Sequence, residues 1–388
     1  MADRRTILDR HPAGPAHVQS DILERLMEHD RLHLEALLDE AVAAYPPGAE
    51  ARLVAGKLFL TKAWGYMQTV HLNMNSKCFK CGGECPCYPS VEELGGRELM
   101  VVMGNTCISW SAMGAGAGWV HESTIPMLVV CKSIVDHLPK RVVQECVVGF
   151  DWETFAWMMQ PYYVVQKVQA NPRLQGYPCT RRRSYCVLKR RNDARGIKWS
   201  QANYQRIAGS KVVADASIYF CAPDQMLQKQ RKAMAKMNSL PWQIDGVAIP
   251  WFSLISRSKQ RRLLEHLRVL SLKQKKTCGF YVANLMQTPY FRKPGPLLEA
   301  LLQESVLFGW HSSQELTHES AREFLAAEHF VAMGMPVFHP SAPGWNHLPS
   351  VLKSVAAISK EKPCKLRSMT GNGMHVAQVG AAVLVALQ

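Results

Sequence analysis

The sequence has no apolar run long enough to cross a bilayer; the longest, Val376 to Leu387, reads as a packed helix. Its opening residues, MADRRTILDRHPAG, hold no apolar core of signal-peptide length, so no membrane partner and reduced thiols in cytosol or nucleus are expected. Acidic residues are scarce: 31 Asp and Glu stand against 46 Lys and Arg, a formal charge of +15. A surplus of that sign points to a polyanionic partner, nucleic acid ahead of a membrane surface. The chain is not short of core material. With 388 residues, 47% hydrophobic and 20% charged, it can form one large or two medium globular domains.

Twelve cysteines are scattered singly apart from one cluster, KCFKCGGECPCYP, with Cys78, Cys81, Cys85 and Cys87 spaced C-x2-C-x3-C-x-C. The first pair has zinc-knuckle spacing and Gly82-Gly83 allows the turn. The second pair is closer than ordinary zinc modules use and no paired histidine follows, so a cysteine-rich structural loop and a zinc site both stand, the loop ahead.

The stretch that organises the chain is Val101 to Gly118, VVMGNTCISWSAMGAGAG, an apolar strand breaking at Gly104 into a small-residue turn that carries Cys107. A cysteine so placed is either a buried hydrophobe or a nucleophile held by the strand and reachable from the loop. Before it, Asp21 opens an amphipathic pattern to about Ala44, Tyr45-Pro46-Pro47-Gly48 breaks it, and a second helical segment runs from Ala51 to about Thr69. After it, a helix from His121 closes at Pro139-Lys140, and Arg141 to Val147 is a short β-branched strand ending near Glu145. Strand, turn, helix and strand make a βαβ unit, whose parallel strands bring Cys107 and Glu145 to one carboxyl edge.

Residues 154 to 170 read as a further helix, Tyr185 to Leu188 as a strand, and Leu297 to Leu307 as an apolar helix or strand. Glu328 lies on a helix ended by Gly334 and Pro336; Gly371-Asn372-Gly373 reads as a tight turn before a helix from His375 that packs back on the sheet. Between Arg181 and Lys276 there are 22 Lys and Arg against 5 Asp and Glu, a local surplus of 17. Trp199, Tyr204, Tyr219, Trp242 and Trp251 interleave with those cations, which suits phosphate contact and base stacking, or a solvated basic face over core aromatics.

In this order the segments resemble the blocks of the C5-cytosine-specific DNA methyltransferases. Gly104-Asn105-Thr106-Cys107-Ile108-Ser109-Trp110-Ser111 with Gly114 is similar to P-P-C-Q-P-F-S-x-x-G, and Glu145-Cys146-Val147 to Glu-Asn-Val. Gly176 to Arg183 is similar to G-x-P-Q-x-R-x-R, with Cys179 at the glutamine and both Arg181 and Arg183 kept. FLAAEHFVAMGMP resembles the L-T-x-x-E-x-x-x-x-Q-G-F-P helix, and Gly371-Asn372 the final G-N of the cofactor pocket. His17 to Ile22 resembles the Gly-Asp-Ile block, so the chain is expected to start after the F-x-G-x-G block and the acidic residue that follows it.

The resemblance implies an α/β fold: a Rossmann-like methyltransferase sheet, N-terminally incomplete, with a smaller basic target-recognition region. It divides the chain into an N-terminal helical part with the cysteine-rich loop (1–100), a catalytic core (101–190), a target-recognition region (191–315) and a C-terminal return (316–388). Cys107 would be the nucleophile, Glu145 the group at N3 of the base, and Arg183, with Arg181 in support, an electrostatic contact. Asp21, Asn105, Gly371 and Asn372 would hold S-adenosyl-L-methionine. The implied partner is DNA in the nucleus, or the cytoplasm of a prokaryote. RNA remains open, as do a tRNA methyltransferase and an inactive nucleic-acid-binding homologue, and no protein partner is deducible.

Overall fold

The computed structural model describes residues 17–44, 49–111, 114, 116–193, 199–211, 214–271, 279–291, 293–335, 337 and 362–387. The expected break at Tyr45–Gly48 and the helix-ending Pro336 lie outside the described residues. The chain forms two compact units, one of residues 1–170, 182–207 and 379–388, the other of 171–181 and 208–378.

In the first unit a 3-10 turn at Ile22–Arg25 precedes helices α1 (Glu28–Ala43) and α2 (Ala49–Met67). Strands β1 (Asn75–Lys77) and β2 (Glu84–Pro86) form an antiparallel hairpin, and helix α3 (Val91–Leu94) follows, opened by a reciprocal capping box between Ser90 and Glu93. Then come β3 (Met100–Gly104), α4 (Thr124–His137), β4 (Arg141–Cys146), α5 (Trp152–Met159), β5 (Tyr163–Ala170), β6 (Arg183–Arg190) and α6 (Gln201–Ala208).

The sheet order is β3-β4-β6-β5, parallel between β3 and β4 and antiparallel elsewhere, so the fold is α/β with a mixed sheet. The βαβ unit expected from the sequence is present, with α4 as its crossover. On the helical face, Val142, Cys146, Cys186 and Leu188 pack with Phe59 and Leu60 of α2, Leu128 and Ile134 of α4, and Phe155 of α5. On the other face, where alternation places Arg141, Val143 and Glu145, the Arg141 guanidinium donates to the carbonyl of Ala386 at 2.5 Å.

One helix read from sequence is corrected. Residues 154–170 do not form a single helix: α5 stops at Met159 and Tyr163–Ala170 is strand β5. Tyr163, Val164, Val165 and Val168 lose side-chain freedom in a helix and pair well on a pleated surface, here against the whole of β6.

The second unit holds α7 (Asp224–Met237), a hairpin of β7 (Gln243–Ile244) and β8 (Val247–Ala248), α8 (Trp251–Leu254), α9 (Arg257–Ser271), β9 (Phe280–Asn284), β10 (Leu307–His311), β11 (Arg322–Glu323), α10 (Ala326–Ala332) and α11 (Pro363–Asn372). Asp245 and Gly246 turn the hairpin at φ 51° and 79°, the left-handed pair that a two-residue loop requires. The last helix, α12 (Val376–Leu387), has its residues from 379 onward in the first unit.

Strands β9, β10 and β11 form an antiparallel sheet packed against Trp251, Leu254 and Leu263. Two more expectations change here. Residues 297–306 are irregular, with Leu298 and Leu301 buried as separate anchors, and only Leu307 enters a strand. Gly371 and Asn372 close α11 instead of forming a tight turn. Gly371 is required there because a Cβ would stand 2.4 Å from the Gln303 nitrogen.

Glu328 anchors this unit. Both its oxygens accept from Arg322 at 2.7 Å, and they also accept from the backbone nitrogens of Ala222 and Leu325 at 3.0 and 2.8 Å. The pair is buried and the Arg322 guanidinium lies 3.8 Å over the Phe220 ring. Removing one partner strands the other charge in the interior. Glu328→Ala is expected to destabilise the second unit by about 3–5 kcal/mol, read as a lowered midpoint in urea unfolding.

Candidate active site at the carboxyl edge of β3 and β4

Parallel pairing sets Gly104 opposite Glu145, so the chain leaves β3 beside the end of β4. The Asn105 nitrogen donates to the Glu145 carbonyl at 3.2 Å, two residues before Cys107. A tight turn follows, in which the nitrogens of Trp110 and Ser111 both donate to the Cys107 carbonyl, at 3.0 and 2.8 Å. The Gly118 nitrogen closes the loop on the Ser109 carbonyl at 2.9 Å. Trp110 fastens the turn to the core, edge-on to Trp119 at 5.0 Å and to Phe150 at 5.1 Å. Cys107 itself is half-buried.

Gly114 belongs to the same turn for a steric reason. A Cβ on it would stand 1.8 Å from the Ile108 carbonyl oxygen and 2.7 Å from the Ser111 hydroxyl. No side chain fits without opening the loop.

Glu145 is buried, and the Arg183 Nε lies 2.8 Å from its Oε1. The register explains the pair, since Glu145 is opposite Tyr185 and Arg183 is the next residue along β6 on that face. Burial pushes the Cys146 thiol up to about 12, Glu145 and Cys107 add to that, and Arg183 opposes it. Cys146 is therefore an inert thiol, while a carboxylate, a guanidinium and the half-buried Cys107 share one edge.

In structure this chain is similar to the Dnmt2 methyltransferase of S. pombe. The likeness spans 74% of this chain and 77% of that one at 16% identity, with a TM-score of 0.41. A mutant DNMT2 from Spodoptera frugiperda is similar over 74% of this chain and 79% of its own, at 14% identity and a TM-score of 0.39. The methyltransferase EhMeth of Entamoeba histolytica is similar over 74% and 76%, at 13% identity and a TM-score of 0.34. No family model and no curated protein matches the sequence.

The other expected site residues are placed as follows. Asn105 keeps its Nδ2 buried with no acceptor among the described residues. Asp21 is exposed and caps the Ile22–Arg25 turn, accepting from the Leu23 nitrogen at 2.9 Å, beside a depression of about 290 Å³ that Glu24, Glu28 and Arg31 also line.

Arg181 belongs to the second unit, where it donates to the carbonyls of Leu301, Gly371 and Gly373 at 3.1, 3.0 and 2.7 Å. Its guanidinium is thus engaged by carbonyls of that unit's interior. The Gly371 carbonyl accepts from Arg181, and the Asn372 Oδ1 accepts from Gln303 at 2.7 Å.

Of the four clustered cysteines, Cys87 stands apart with its thiol 3.4 Å from the Ser76 hydroxyl, while Cys78, Cys81 and Cys85 converge with His17. That histidine was invisible to spacing rules, since it precedes Cys78 by 61 residues. The aromatics of the basic segment are also corrected. Trp199, Tyr204, Tyr219 and Trp251 are buried and unavailable for base stacking, because their rings fill the cores; Trp242 is half-buried under the Lys232 ammonium.

Arg183→Ala leaves the Glu145 carboxylate without this partner and is expected to destabilise the first unit by about 3 kcal/mol. Glu145→Gln added to it should recover more than half of that loss in urea unfolding. Equal and additive losses would show that the pair is not coupled.

Proposed function

We propose that this chain transfers a methyl group from S-adenosylmethionine to C5 of cytosine in nucleic acid, with DNA as the substrate. The observation that carries the reading is the in-register parallel pairing of Gly104 with Glu145, which sets the Cys107 turn beside the Glu145–Arg183 pair. The order of the sequence blocks supports the choice of reaction.

Cytosine C5 is a poor nucleophile until a thiolate adds to the ring. As the Cys107 sulfur bonds to C6, the proton its thiol gives up reaches N3 through Glu145, so the displaced electron pair is held as an enamine with its nucleophilic carbon at C5. Arg183 holds Glu145 in place and adds positive charge where the base carbonyl would sit. The bound cofactor supplies the electrophilic methyl group. Loss of the C5 proton to solvent then expels the Cys107 sulfur, and return of the N3 proton through Glu145 to that sulfur restores the aromatic ring and the thiol. A base in a duplex must leave its stack to reach Cys107.

The residues of the first unit fit such a cofactor in part. Asn105 offers a buried donor and Asp21 an exposed carboxylate, the groups that would hold its polar ends. The buried thiol of Cys146 makes no competing nucleophile.

Duplex DNA containing 5-fluorocytosine should trap the enzyme, because fluorine cannot leave C5 as a proton does. A covalent adduct formed with S-adenosylmethionine, absent in Cys107→Ala and slowed about 100-fold or more in Glu145→Gln, is the expected result. An adduct with tRNA alone would replace DNA by RNA as substrate. Failure of both, with no cofactor binding, would overturn the reading.

A further inference from the structure

The cysteine hairpin carries chemistry that methyl transfer does not use. The thiol sulfurs of Cys78, Cys81 and Cys85 and a ring nitrogen of His17 all lie within 4.8 Å of one another. His17 Nδ1 is 3.5 Å from the Cys81 sulfur and 4.0 Å from that of Cys78. Four ligands around a tetrahedral zinc, with Zn–S of about 2.3 Å and Zn–N of about 2.0 Å, stand about 3.5–3.8 Å apart. The four donors therefore need to contract by no more than about 1 Å to close on one ion.

The backbone is shaped to aim those sulfurs. Within Cys78-Phe79-Lys80-Cys81-Gly82-Gly83, the Gly82 nitrogen donates to the Cys78 carbonyl at 2.9 Å and the Cys78 nitrogen to the Gly83 carbonyl at 2.8 Å. Gly82 takes φ 77°, which a glycine adopts without strain. The Val18 nitrogen points at the Cys78 sulfur from 3.3 Å, a contact that orients and stabilises a metal-bound thiolate. A disulfide would engage two of the sulfurs and leave the position of the imidazole unexplained; a four-donor centre accounts for all of them.

We propose that His17, Cys78, Cys81 and Cys85 form a structural zinc site, with Cys87 excluded. Three thiolates and one imidazole match the closed donor set of structural zinc and leave no position for a reacting water. The ion would fasten the segment from His17 to Ser20 to the β1–β2 hairpin. That segment already pairs there, through the Ser20 nitrogen on the Lys77 carbonyl at 2.9 Å and the Phe79 nitrogen on the Val18 carbonyl at 2.8 Å. Asp21 follows directly, so the zinc would also fix where the Ile22–Arg25 turn starts. The site stands independently of the methyl-transfer reading.

The test uses the full chain, purified without chelator and analysed by elemental mass spectrometry, then titrated with Co(II) after zinc removal. About one zinc per chain is expected, with a thiolate-to-cobalt charge-transfer band and intense tetrahedral ligand-field bands on reloading. In the unaltered protein, zinc should protect Cys78, Cys81 and Cys85 from iodoacetamide and leave Cys87 reactive, a readout that does not depend on any variant folding. Cys81→Ser and His17→Ala should weaken Co(II) binding about 100-fold or more, and Cys87→Ser should not change it. The proposal is overturned by absence of metal uptake in the folded chain, by protection of Cys87 in place of Cys85, or by an unaltered cobalt spectrum in His17→Ala.

Discussion

A strand covered on both faces that ends in a carboxylate needs a cation within reach of that carboxylate, and in the first unit the cation is Arg183. Strand β4 is buried nearly throughout, and its only buried acid is Glu145. The antiparallel register with β6 delivers the guanidinium from the adjoining strand, so sheet pairing and charge neutralisation are set by the same hydrogen-bond ladder. The parallel pairing with β3 then decides which loop lies beside that pair. A one-residue slip in either register would turn Glu145 and Arg183 to opposite faces or move the Cys107 turn away from them.

The parts of this arrangement that were legible in the sequence are those governed by short-range rules. The β-branched run from Arg141 to Cys146, the glycines around Cys107 and the helix between them each carry a local signature, and parallel pairing follows from their order. Tyr163–Ala170 was not legible because the apolar residues of α5 lead almost directly into it, and a helical period blends into an alternating one over three residues. Arg181 and Arg183 looked alike in their motif. Only the tertiary fold assigns one to carbonyls of the second unit and the other to a carboxylate of the first.

His17 illustrates the same limit from another side. Metal-site patterns are read from ligands spaced within one loop, and here the imidazole arrives on a segment distant in sequence that backbone pairing and a few side-chain bonds bring to the knuckle. Of the two readings of the basic segment, core aromatics under a basic face holds for the buried rings, and the sequence could not choose it for a different reason. Composition places aromatics among cations, but it does not say which side of a helix or strand each one occupies, and most of them occupy the inside.

The contact between Arg141 and Ala386 has a consequence for how the chain is made. It joins residues 245 positions apart, and it lies on the same sheet face as Glu145. Arg141 finds this acceptor only after residues 208–378, which belong to the second unit, have been made, so the first unit completes its packing after the second has been synthesised.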